Sequence, residues 1–243
     1  MISTVHKVKA FLSIIFKYAL SKEYVVSNPA ELIGNSLLTR ATVHRNAIVN
    51  PSEVGELIAK IKAYDGRKID YYALNLLPYL FVRPGELRAA EWREIDLETA
   101  TWKIPAEKKK MRSPHMVPLS SQVVGLLTEL KELTGGGKHV FANAKGKVPT
   151  HKNIGIALGR IGYDSSKMMP HGFRAMASTL LNELNYNPDW IERQLAHSER
   201  KGVRAAYNHA EHLPERRKMM QEYSDYLDGL AAKYGKVTLP ASL

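Results

Sequence analysis

The sequence contains no cysteine. That excludes a disulfide framework, a thiol nucleophile and a cysteine-based zinc site, and it suits a reducing compartment. No apolar run is long enough to span a bilayer. The apolar stretch Phe11 to Phe16 is short and has lysine on both sides, so the start of the chain is not laid out as a signal peptide. A cytoplasmic protein with no membrane partner is the expectation. No cluster of carboxylates and no histidine pair has ligand spacing, which speaks against a metal-dependent nuclease and leaves no cofactor or metal to expect. Acidic residues are the scarcer charge: 24 Asp and Glu stand against 35 Lys and Arg, a formal net charge of +11. Such a surplus draws polyanions, nucleic acid or an anionic membrane being the usual candidates.

What is present reads as a globular chain of 243 residues, 44% hydrophobic and 24% charged. Val5, Val8, Phe11, Leu12, Ile15 and Ala19 follow a helical period, and Asn28-Pro29 is a stop signal after that helix. Residues 34–46 have little periodicity and read as a linker. Asn50-Pro51-Ser52-Glu53 has the cap, the first-turn proline and the acidic residue of a helix start. Helices are expected over 52–63, 68–81 and 121–133. Thr101 to Ile104 and His115 to Leu119 have strand character around a lysine-rich hairpin loop. Val140-Phe141 is a candidate short strand. From Lys152 onward the pattern is helical with interruptions, and the tail from Leu213 to Ala232 keeps the period through Met220, Tyr223, Leu227 and Leu230. The fold class is mainly α with a small antiparallel sheet (α+β).

Four segments carry candidate chemistry. In Arg83-Pro84-Gly85-Glu86-Leu87, Pro84 keeps Arg83 out of helical geometry and can itself open a helix. Glu86, three residues on, can face the same site. Alone, this reads first as a surface arginine beside a helix start. Lys108-Lys109-Lys110-Met111-Arg112 lies in the hairpin loop, where a lysine run is usually a solvated face or a phosphate contact. In Pro170-His171-Gly172-Phe173-Arg174, the His and Arg share a helical face near an N-terminus, where backbone N–H groups favour an anion. Arginine supplies a planar fork of donors and histidine can move a proton. The alternative there is a capping histidine and a surface arginine. Leu195-Ala196-His197 is followed ten positions later by Tyr207, one of 12 tyrosines, and most tyrosines are packing groups.

The order Arg, Lys, His-x-x-Arg, His, Tyr resembles that of the tyrosine recombinases, also called phage integrases. Arg83-x-x-Glu86-Leu87 is similar to the family's first arginine box and His171-x-x-Arg174 to its second. Lys110 stands where the family has its hairpin lysine, with Lys109 and Lys108 as neighbouring alternatives. Leu195-Ala196-His197 resembles the Leu-Gly-His segment, Ala196 being a small-for-small exchange. Tyr207 matches the nucleophile. The resemblance runs from about residue 50 to 225. The phrases Ile104 to Glu107, Pro114 to Ser120 and Ala205 to Asn208 are similar to prophage integrases that insert at tRNA genes.

The resemblance implies site-specific DNA recombination by strand cleavage and rejoining, without metal or ATP, through a 3′-phosphotyrosyl link. Arg83, Glu86, Lys110, His171, Arg174, His197 and Tyr207 would be the catalytic set. Residues 46–243 would be the catalytic domain, and residues 1–45 the last part of a helical core-binding domain plus linker, in an N-terminally truncated chain. The partner would be double-stranded DNA, bound by a homotetramer that exchanges C-terminal helices; a tail helix packed on its own domain is the other reading. Rivals are a DNA-binding remnant that no longer recombines and a type IB topoisomerase-like activity.

Overall fold

Helix starts in this chain are set by a recurring device, an asparagine cap followed by proline, and the computed structural model shows it three times. The structure describes residues 2–33, 47–108, 114–143, 145–196 and 212–235. It divides into two compact units, Met1–His44 and Arg45–Leu243. In the first, α1 (Ile2–Ser21) follows the expected period. Asn28-Pro29 ends the preceding stretch, as expected, and also starts a short helix α2 (Pro29–Leu32), because the Asn28 side chain accepts from the Ala30 N–H. The Asn28 amide donates to Ser13 Oγ at 3.1 Å and fastens α2 to α1. The expected linker over 34–46 lies outside the described residues.

The second unit begins with α3 (Pro51–Lys62), capped by Asn50 and burying Val54, Leu57, Ile58 and Ile61. α4 (Lys68–Leu80) is buried over most of its circumference from Tyr72 to Leu80, as befits a helix at the centre of a core. α5 (Pro84–Arg88) follows after a sharp turn. The sheet is antiparallel in the order β1 (Ile95–Asp96), β2 (Thr101–Ile104), β3 (His115–Pro118), with Trp102 opposite Val117 and Ile104 opposite His115. β1 is two residues long, too short to leave a period in the sequence. Val140-Phe141 does not form the strand expected of it. These residues are apolar because they are fully buried in a turn, and the sheet-like contact beside them is a single bridge between Glu91 and His139.

α6 (Ser121–Thr134), α7 (Asn153–Arg160) and α8 (Gly172–Glu183) pack on α4, and α9 (Pro188–Gln194) packs on α8. The last described helix, α10 (Leu213–Tyr234), lies along α3 of its own domain. Met219, Met220, Tyr223 and Leu227 enter the core. Gly55 permits the close approach, since a Cβ there would collide with the Leu230 carbonyl. Lys62 pairs with Asp228 at 2.7 Å, and Ser224 donates to Ser120 at 2.8 Å.

Candidate active site

The site starts where α4 stops. Phe81 takes a left-handed conformation, φ 35°, in which a side chain other than glycine is strained. Its ring is fully buried and stands edge-on to Tyr223, with centroids 5.4 Å apart, so core packing holds the strained turn. Two residues later Arg83 is extended, as the following proline requires, and caps α5. Glu86 reaches back across that helix start. Its Oε2 accepts from the Arg83 N–H at 3.1 Å, and its Oε1 pairs with Arg83 Nη1 at 2.9 Å. Glu86 is buried and Arg83 is about one-third exposed, so the carboxylate fixes the inner side of a guanidinium whose outer side faces water.

Arg174, in the first turn of α8, comes to the same place from the opposite direction. Its Nη1 donates to the Phe81 carbonyl at 2.9 Å and its Nη2 to the Leu195 carbonyl at 2.5 Å. Arg83 Nη2 donates to the next carbonyl, that of Ala196, at 3.1 Å. The carbonyl before both, that of Gln194, meets His115 Nε2 at 3.1 Å. Three successive carbonyls, from the last residue of α9 into the turn after it, thus face three side chains brought from the cap of α5, from α8 and from β3. Burial, and then the Arg83 cation, pull the Arg174 guanidinium down to about 10, while Glu86 and Glu192 oppose the shift. It still carries its proton at neutral pH. His171 is half-buried at the cap of α8, one turn from Arg174.

The structure therefore brings Arg83, Glu86 and Arg174 together and places His171 at the head of the same helix. Lys110, His197 and Tyr207 lie outside the described residues. Ala196, immediately before His197, has φ 48°. The exchange of alanine for glycine there is small in volume but not in backbone freedom.

Two further groups escape the motif reading. Arg216, fully buried in α10, donates to Gln194 Oε1 from Nε at 3.1 Å and from Nη2 at 2.6 Å, and to the Met116 carbonyl from Nη2 at 2.5 Å. Burial lowers its guanidinium to about 10. Gln194 and Arg216 stand on either side of the segment that contains His197 and Tyr207, and both are tied to β3. Position 216 falls on the stripe of 219, 220, 223 and 227, so an arginine on an apolar face was the available signal. The second group is Glu91 and Glu94, buried beneath Lys108. Among the described residues no three His, Asp or Glu converge as a metal site.

A fold of this kind, with two arginines converging on one turn, defines a class. The phage integrase family matches residues 48–213, and the chain belongs to that family, the tyrosine recombinases. It is similar to the integrase of Enterobacteria phage P4, at 40% identity over 237 residues, covering 90% of this chain and 54% of that protein. It is also similar to the prophage integrase IntZ of Escherichia coli K12, at 39% identity, covering 96% of this chain and 58% of that protein. The chain thus spans little more than half the length of these curated relatives. Solved structures share the fold. The Tn1549 transposon integrase in complex with a circular intermediate DNA matches with a TM-score of 0.65 at 17% identity, covering 89% of this chain and 78% of that one. A lambda integrase dimer bound to a COC′ core site matches with a TM-score of 0.62 at 15% identity, covering 82% of this chain and 73% of that one.

Proposed function

We propose that this chain cuts and rejoins DNA strands at specific sites, with Tyr207 as nucleophile, in the service of integration. The observation that carries this reading is the convergence of Arg83 and Arg174 on the turn that leads into His197. Phosphodiester cleavage without a metal needs fixed cations aimed at the oxygens where charge develops. Arg83 and Arg174 would bind the two non-bridging oxygens, and Glu86 orients Arg83. Tyr207 Oη attacks phosphorus while the bond to the 5′ oxygen breaks, which leaves a 3′-phosphotyrosine and a 5′-hydroxyl. A phenol of pKa about 10 needs a base at neutral pH, a role given to His171. Lys110 supplies the proton that the departing 5′ oxygen takes up, and His197 hydrogen-bonds the scissile phosphate. The same steps in reverse, with a new 5′-hydroxyl, reseal the strand. The phosphotyrosine conserves the bond, so neither ATP nor metal enters the balance.

The partner is double-stranded DNA, in keeping with the surplus of positive charge and with related structures solved on DNA. Residues 46–243 act as the catalytic domain and residues 1–45 as the end of a core-binding domain with its linker. The working assembly is a homotetramer on DNA, located in the cytoplasm. Exchange of the C-terminal helix between protomers either uses residues beyond Gly235 or detaches α10 from α3. No described helix is long and apolar enough to cross a membrane.

Nicked suicide duplexes, tiled across the DNA that flanks the coding sequence, test the reading. The chain should form a covalent adduct that survives denaturant and resists EDTA, and Tyr207→Phe should abolish it. Adducts that persist in the variant would overturn the assignment.

A further inference from the structure

Three consecutive lysines occupy the connection between β2 and β3, and the first of them is committed elsewhere. Lys108 Nζ donates to the Ala89 carbonyl at 2.7 Å, pairs with Glu91 Oε1 at 2.9 Å, and pairs closely with Glu94 Oε1. An ammonium has three N–H donors, and here each has an internal acceptor. The carboxylates are built in as well. Glu91 and Glu94 are 4% and 7% exposed, and the Trp102 indole N–H holds Glu94 Oε2 at 3.2 Å from β2. The hydrogen bond from Lys108, ahead of the surrounding charges of Lys108, Arg93 and Lys138, holds the Glu91 carboxyl down at about 2. Ala89 closes α5, the helix that Arg83 opens. Lys108 therefore bolts the root of the hairpin to the far end of the arginine-bearing helix, five residues long.

We propose that Lys108 is a positioning residue, not the proton donor: it fixes where the β2–β3 connection leaves the domain, so that a lysine further along it meets the leaving 5′ oxygen. This rests on the strand-cleavage reading above. Lys108 loses its three acceptors if it turns to a phosphate: buried Glu94 would then lose its cation and Glu91 would keep only the exposed Arg93 and Lys138, a destabilising arrangement.

Arginine separates the two roles, because it can pair with both carboxylates yet holds its proton too tightly to act as an acid. Single-turnover cleavage is measured on the duplex that yields the Tyr207 adduct, with either oxygen or sulfur at the 5′ bridging position. Lys108→Ala is expected to slow cleavage of the oxygen substrate by about 10-fold or more, the scale of a misplaced catalytic group. Lys108→Arg is expected to recover most of that loss. Amide hydrogen exchange over 103–108 and 114–116, read on the same proteins without DNA, should accelerate in Lys108→Ala and return to normal in Lys108→Arg. If Lys108→Arg is as slow as Lys108→Ala on oxygen but recovers on sulfur, Lys108 is the donor and the proposal is wrong. Unchanged exchange in Lys108→Ala also overturns it, whether or not any DNA is cut. The absence of an adduct with the unaltered chain is a different failure, that of the cleavage reading itself.

Discussion

At Ala196 a Cβ sits on a backbone with φ 48°, where it crowds the following carbonyl. Ala196→Gly removes that crowding and keeps the carbonyl available to Arg83. The variant is expected to gain up to about 1 kcal/mol, less the extra entropy of glycine in the unfolded chain, seen as a higher urea midpoint at unchanged slope. A lower midpoint would mean that the alanine methyl has packing to lose. The residue scale also shows what a sequence can disclose. Arg83 and Glu86 were legible because a proline fixes the geometry between them, and Arg174 because it shares a helical face with His171. His115 and Gln194 were not, since their bond joins residues 79 apart in sequence. The positive φ at Ala196 left no mark either, because glycine, the usual sign of it, is missing.

Among the described elements, α10 packs most extensively on α3, and Gly55 is one position that lets the two helices come close. Gly55→Ala places a methyl against the Leu230 carbonyl and near the Tyr234 side chain. Helix propensity favours the alanine, but overpacking of this kind costs about 1–3 kcal/mol, so a lower melting temperature is expected, and an unchanged or higher one would show that the helices can part. The cluster under the hairpin gives a pH signature. Glu91 titrates at about 2 in the folded chain against an ordinary 4.5, so the unfolded state binds the proton first as pH falls. Its contribution is complete above about pH 4.5 and lost by about pH 2. Glu91→Gln should flatten the acid limb of the stability curve in that window, as followed by urea unfolding; an acid limb of the same steepness in the variant would exclude Glu91 as its source. β2 and β3 were readable from their strand-forming residues. β1 was not, being two residues long, and Val140-Phe141 misled because burial in a turn and burial in a strand leave the same apolar pair.

For the molecule as a whole, the legible part was the architecture and the family: a helical domain with a small antiparallel sheet, in a chain that belongs to the phage integrase family. The hidden part was how the domain disposes of its internal charge. Arg83 has Glu86 as a counter-ion, and Lys108 has two carboxylates. Arg174 is treated differently. Its hydrogen-bond partners at Phe81 and Leu195 are neutral carbonyls, so a nearly buried cation is solvated by backbone dipoles, and the carboxylates of Glu86 and Glu192 act on it through their field alone. A cation held by dipoles keeps a positive field that an added oxyanion can use. An oxyanion that binds the folded chain alone stabilises it by about 2.7 kcal/mol at a hundred times its dissociation constant, so melting in graded sulfate should rise, and should rise less in Arg174→Gln. Equal shifts in the two proteins would place the anion elsewhere. Heat resistance in graded sulfate would then serve as a gauge of how much anion the turn at Arg174 holds.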